Sequence, residues 1–118
     1  MILVDTSVWI DHLRVANVRL AALLYDERVC CHPFVIGELA CGNLRRRGEF
    51  LSLLGNLPKV TVVSDQEAMR FIEGHRLMGQ GLGWTDVHLL ASAAAAPAQL
   101  WSTDRRLVGA ANRLGVGL

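Results

Sequence analysis

A chain of 118 residues, 52% hydrophobic and 19% charged, is long enough to close a hydrophobic core and too apolar to remain disordered. Its formal net charge of +1 excludes a strongly basic or acidic protein, although eleven of its twelve cationic side chains are Arg, against the single Lys59. No stretch has membrane-spanning length, the opening lacks the regions of a secretory signal, and Cys30, Cys31 and Cys41 have neither the even count of a disulfide framework nor C-x-x-C spacing. The expectation is one domain over residues 1–118, located in the cytoplasm.

Ile2 to Val4 is a short apolar run that reads as a strand buried on both faces, the kind found in parallel sheets. Asp5, Thr6 and Ser7 follow at its carboxyl end. Val8 to Leu13 and Leu20 to Tyr25 carry helical apolar spacing. Arg28 to Cys31 is a second strand, after which Pro33 suits the first position of a helix that contains Glu38 and ends near Gly42. An amphipathic piece from Gly48 to Leu57 leads to a third strand, Lys59 to Val63, rich in Val and Thr.

Ser64 and Glu67 have capping-box spacing, and Ala68, Phe71, Ile72, His75 and Met78 form one stripe of the helix that follows, with His75 expected at the core or its boundary. Gly79-Gln80-Gly81-Leu82-Gly83 follows a helix rather than a strand, so it reads as a flexible connection and not as a phosphate loop. Thr85 is a candidate cap for a helix from Asp86 to Ala96, stopped by Pro97. Gln99 to Ser102 is a fourth strand, Asp104 to Leu114 a helix ended by Gly115, and Val116 to Leu118 a possible last strand. Alternation of strands and helices predicts an α/β fold: a parallel sheet of four to five strands covered by helices on both faces, three layers in all.

Four acidic residues stand in strand-end or apolar settings. Asp5 follows the first strand, Glu38 lies between Ile36 and Leu39, Asp86 opens a helix, and Asp104 follows the fourth strand. Each Asp has an ordinary explanation as a turn or cap residue, and a Glu buried in an apolar helix needs a cationic partner. Together they can converge at the carboxyl edge of the sheet, where ligands bind in open α/β folds. Clustered carboxylates repel unless a cation or protons neutralise them. All-oxygen ligation selects Mg²⁺ or Mn²⁺, and such an ion stabilises a phosphoryl oxygen and activates water, which points to phosphodiester hydrolysis.

Four segments in this order resemble the PIN-domain ribonucleases, specifically VapC-type toxins of toxin–antitoxin pairs. They are Val4-Asp5-Thr6-Ser7-Val8-Trp9-Ile10-Asp11, Ile36-Gly37-Glu38-Leu39, Thr85-Asp86-Val87-His88-Leu89-Leu90-Ala91, and Leu100-Trp101-Ser102-Thr103-Asp104-Arg105-Arg106-Leu107. The resemblance covers nearly the whole chain. It implies a PIN-like fold and an endoribonuclease whose Mg²⁺ or Mn²⁺ is bound by Asp5, Glu38, Asp86 and Asp104. Ser102 stands where the family usually has Thr, and with Ser7 it is expected to support the acids by hydrogen bonding. An antitoxin partner and a homodimer are also implied.

Arg14, Arg45, Arg46, Arg47 and Arg105 are candidates for RNA phosphate contacts. Trp9, Leu13, Leu20, Leu23 and Leu24 lie on two short helices that cannot both bury every apolar residue, which predicts an exposed groove; the resemblance implies that an antitoxin's C-terminal segment fills it. His12, His32 and His88 lack a spacing that would demand a histidine mechanism. A phosphatase would need a second Asp where Ser7 stands, and a receiver domain would need an acidic pair. The alternative to an enzyme is a degenerate PIN module that binds a partner or RNA without cleaving it.

Overall fold

The computed structural model describes residues 1–118. Strand β1 (Ile2–Val4) lies at the centre of a parallel sheet, between β2 (Val29–Cys30) and β3 (Gln99–Trp101). Successive strand residues point to opposite faces, and Ile2, Leu3 and Val4 are only 2%, 0% and 0% exposed. Both faces of the strand are therefore covered, which explains why its sequence is uniformly apolar rather than alternating. Helices α1 (Thr6–Arg14) and α2 (Val18–Tyr25) connect β1 to β2. Helices α3 (Pro33–Ala40), α4 (Arg47–Asn56), α5 (Asp65–His75) and α6 (Trp84–Ala95) lead from β2 to β3, and α7 (Arg105–Arg113) follows β3.

The sheet is narrower than the four to five strands expected. Lys59–Val63 contributes a single bridge, Lys59 to Cys31, in which Cys31 N–H donates to Pro58 O and Val60 N–H to Cys31 O. Beyond Val60 there is no strand left to pair with, because β2 ends and His32 turns into α3; the Thr61 carbonyl accepts the Ser92 hydroxyl instead, at 2.8 Å. On the other edge Val116–Leu118 likewise forms one bridge, Gly117 to Leu100.

Twenty-two buried residues form one hydrophobic cluster. Trp9 and Leu20 belong to it and are fully buried, so they are not part of an exposed groove as expected. Leu23 and Leu24 pack against it half-buried, while Leu13, Val15, Val18 and Tyr25 stay exposed. On α5, Ala68 is buried and Phe71 and Ile72 are half-buried, but His75 faces solvent, as does Met78, which lies beyond the helix end rather than on its stripe. The apolar stripe thus covers only the first two turns, and His75 rests on Phe71 with ring centroids 4.4 Å apart. Ser64 accepts the Glu67 N–H at 3.1 Å, while the Glu67 carboxylate takes the Ser64 hydroxyl rather than a backbone N–H.

The glycine-rich connection before α6 is tied down. Gly79 and Gly81 adopt left-handed φ values of 72° and 75°, which a side chain disfavours. The Arg106 side chain of α7 lies where a Cβ on Gly81 would stand. Gln80 donates to Arg76 O and accepts from Arg113. Helix α6 begins at Trp84 with Gly83 as its cap, not at Thr85 and Asp86.

His32 caps α3. Its Nδ1 accepts the Phe34 N–H at 2.9 Å, and the ring is fully buried beside His88, with centroids 6.3 Å apart. Burial, helped by the charge of His88, lowers its pKa from 6.5 to about 4. The neutral ring is required, since a proton on Nδ1 would face a backbone donor. Between pH 4 and 6.5 the unfolded chain binds the extra proton, so the contribution of this cap is complete above 6.5 and is lost as pH falls towards about 4. The melting temperature of the wild type minus that of His32→Asn should therefore shrink steadily on acidification through that window. A difference independent of pH would contradict the buried neutral cap.

Candidate active site

Parallel strands align their carboxyl ends, and the register Val4 to Trp101 sets Asp5 beside Ser102. Asp5 N–H donates to Trp101 O at 2.9 Å, the last rung before both chains leave the sheet. The Asp5 carboxylate is only 7% exposed, an expensive place for a charge without strong donors. Two hydroxyls supply them: Ser7 Oγ and Ser102 Oγ each donate to Asp5 Oδ2 at 2.7 Å. Both serines in turn accept backbone donors, Thr103 N–H on Ser7 and Asp104 N–H on Ser102. Asp5 occupies the cap position of α1 yet makes no side-chain cap bond, so the ordinary reading of this residue fails.

Asp104 does cap a helix. Its Oδ1 accepts from the N–H groups of Arg106 and Leu107 at the start of α7. Asp86 lies in the first turn of α6, where its Oδ2 accepts the Gly83 N–H at 2.8 Å. Glu38 is exposed on α3 rather than buried among apolar neighbours, and its Oε1 accepts the Thr6 hydroxyl at 2.7 Å. The concern that it needs a cation in order to be buried therefore falls away. Thr6 was not singled out in the sequence; the signal available was a hydroxyl directly after a strand-end acid.

These four acids share one pattern. Each has one oxygen fixed by a donor of the chain, and each leaves the other without a protein partner: Oδ1 of Asp5 and Asp86, Oδ2 of Asp104, and Oε2 of Glu38. Asp86 feels the other three. Burial chiefly raises its pKa, the Gly83 N–H opposes this, and the charges of Asp5, Asp104 and Glu38 raise it further. The charged form of Asp86 is thus disfavoured on balance. No three of these side chains close into a ready-made metal cage, in keeping with the repulsion among four anions. Hard, uncommitted oxygens on acids close enough for the other three to act on Asp86 nevertheless suit Mg²⁺ or Mn²⁺ and not a thiophilic ion.

Arg14 and Arg45 line a cleft with Glu38, and Arg105 follows Asp104 in sequence; these three and Arg47 are exposed and form no ion pair, whereas Arg46 pairs with Glu49 at 3.1 Å. His12 Nδ1 accepts the Asn17 N–H and His88 is fully buried. Neither histidine is hydrogen-bonded to the four acids.

Residues 2–112 match the PIN domain family. The chain is 50% identical over 119 aligned residues to Ribonuclease VapC32 of two Mycobacterium tuberculosis strains, covering 100% of this chain and 96% of the relative. Among solved structures, that of PAE2754 from Pyrobaculum aerophilum superposes with a TM-score of 0.60 at 17% identity, covering 92% of this chain and 83% of the other. This last likeness speaks for the fold alone.

Asp86→Asn separates a structural from an ion-binding role. The amide oxygen can still accept the Gly83 N–H, while one charge that the fold disfavours is removed. Without divalent metal the variant should melt higher than the wild type. With Mg²⁺ at a hundredfold excess over its dissociation constant the wild type should gain about 2.7 kcal/mol by mass action, and the variant much less. Thermal melts in EDTA and in Mg²⁺ check both signs; equal metal-induced shifts would remove Asp86 from the site.

Proposed function

The chain belongs to the PIN domain family, and from that membership and its kinship with a VapC ribonuclease we infer that it is an endoribonuclease, the toxin of a toxin–antitoxin pair. The observation that carries this reading to particular residues is the set of half-committed carboxylates on Asp5, Glu38, Asp86 and Asp104. A degenerate, purely binding module would have no need to gather four acids near enough for three of them to act on the charge of Asp86.

These four residues would hold Mg²⁺ or Mn²⁺, which when bound supplies charge for a phosphoryl oxygen and acidity for water. The remaining work falls to the chain. Ser7 and Ser102 hold Asp5 Oδ2 so that Oδ1 is presented in one direction. Thr6 restrains the longer Glu38 side chain, which lies on a different helix. Gly83 and the first turn of α7 fix Asp86 and Asp104 through backbone donors that cannot rotate away. Positioning of this kind lowers the reorganisation needed when negative charge builds up on the scissile phosphate.

Arg14, Arg45, Arg47 and Arg105 are free to meet phosphates on either side of the cut. Arg46 is the weakest of the original candidates because Glu49 already engages it. The antitoxin segment is assigned to the exposed apolar residues of α2 and the α1–α2 connection, Val15, Val18 and Tyr25, with the half-buried Leu23 and Leu24; Leu13 lies apart from them, in a cleft between α1 and α3. Apolar exposure of this kind commonly marks a protein interface. We place the protein in the cytoplasm as a single domain and a homodimer. No helix is long and apolar enough to cross a membrane.

Purified protein should cleave single-stranded or looped RNA with Mg²⁺ or Mn²⁺ and stop when EDTA is added, since unpaired bases are the usual targets of specific RNA recognition. Undiminished cleavage in EDTA would overturn the metal-dependent mechanism. Reversing Arg105 to Glu should weaken RNA binding and flatten its dependence on salt. Light scattering should give twice the mass of the chain, and the product of the neighbouring gene should co-purify with it. A monomer that co-purifies with nothing would contradict both assignments of partners.

A further inference from the structure

A cleft of about 340 Å³ opens beside Glu38, lined by α1, the end of α3 and the connection from α3 to α4. Ile10, Leu13 and Arg14 stand at i, i+3 and i+4 on one face of α1 and make the first wall. Leu39 lies behind, almost fully buried on α3, and Leu44 faces the cleft from the connection. Gly42 lines it as well. The rim is different in character: Asn43 and Arg45 lie on the connection and Arg14 on the helix, and none of these three side chains has a hydrogen-bond or ion-pair partner in the protein. Glu38 belongs both to this rim and to the four acids.

Building on the ribonuclease reading above, we propose that this cleft is a subsite for one unpaired nucleobase of the RNA substrate, next to the nucleotide whose phosphate meets the acids. Aliphatic side chains on the walls suit the faces of a base, which gains from leaving water in this way. The free amide of Asn43 offers a donor and an acceptor, the pair that reads a base edge. Arg14 and Arg45 suit the flanking phosphates. Continuity through Glu38 sets the register, because a strand seated on the acids by its scissile phosphate brings a neighbouring base to the cleft mouth. A helix of double-stranded RNA cannot deliver a base there, so the subsite selects loops and single strands.

The test is an abasic scan. Short single-stranded RNA oligonucleotides are cut by the full chain in Mn²⁺, with the base removed at one position at a time around the cut. One position is expected at which base removal lowers kcat/KM about tenfold or more, in line with the worth of burying a side-chain-sized apolar face. Leu44→Asp puts a charge into the cleft from a half-buried site on a connecting segment. It should cut intact RNA no faster than the wild type cuts the abasic form, with the penalty gone. Asn43→Ala, on the exposed rim, should shrink discrimination among the four bases at that position even if Leu44→Asp folds poorly. Met69→Ala, exposed on α5, should keep the wild-type pattern.

A flat abasic scan by an active wild type overturns the subsite and leaves the ribonuclease reading intact. A wild type that cuts no RNA in Mn²⁺ overturns both. Should Leu44→Asp keep the full abasic penalty while losing co-purification of the antitoxin, the cleft belongs to the protein partner and the proposal is wrong.

Discussion

Everything at the active edge depends on how one buried charge is satisfied. Asp5 sits at the end of the central strand with little exposure to water, and the two hydroxyls on its Oδ2 are what make a carboxylate tolerable there. One comes from the first turn of α1 and the other from the residue just past the neighbouring strand β3. Strand register, the start of α1 and the approach to α7 are thereby locked to a single oxygen atom. Ser102 also accepts the Asp104 N–H, so the same hydroxyl that restrains one acid orients the loop carrying another. Substituting either serine by Ala would leave a lone pair of Asp5 without its donor and loosen both segments together.

The same economy recurs at the other acids. Asp104 gives one oxygen to the first turn of α7, and Asp86 gives one to Gly83. A helix cap and an ion ligand are therefore not competing descriptions of these residues, since a carboxylate has two oxygens and the local bond uses only one. That division limits conformational freedom before any ion arrives. Burial chiefly, with repulsion from the other three acids added to it, raises the pKa of Asp86, and both are costs that a bound cation would offset.

Much of this was legible in the sequence, and the illegible part has physical causes. Asp5 and Asp104 could be placed at the strand ends because short apolar runs ending in an acid fix their edge of a parallel sheet. Asp86 was found at a helix start, though the cap proved to be Gly83 and not Thr85, since the left-handed glycines of the preceding connection set where the helix begins. Glu38 was singled out for an apolar setting that it does not have; it turns outward to Thr6, a contact between residues 32 positions apart that no local pattern carries.

The edge strands failed for a related reason. Val-rich composition at Lys59–Val63 signals β propensity, but pairing length depends on the partner, and β2 has only two residues to offer. Trp9 and Leu20 show the converse limit. Helical spacing identified α1 and α2 as amphipathic, while only the fold decides which of their apolar residues reach the core and which stay outside.

The central claim is that each acid keeps one oxygen for an ion while its other oxygen holds the fold. Crystals grown with Mn²⁺ and measured at the manganese absorption edge test it directly. The account predicts an anomalous peak bound by Asp5 through Oδ1, together with the free oxygens of neighbouring acids, while Ser7 and Ser102 still donate to Asp5 Oδ2. A peak bound through Asp5 Oδ2 with the serine bonds broken, or one seated away from these acids, would contradict it.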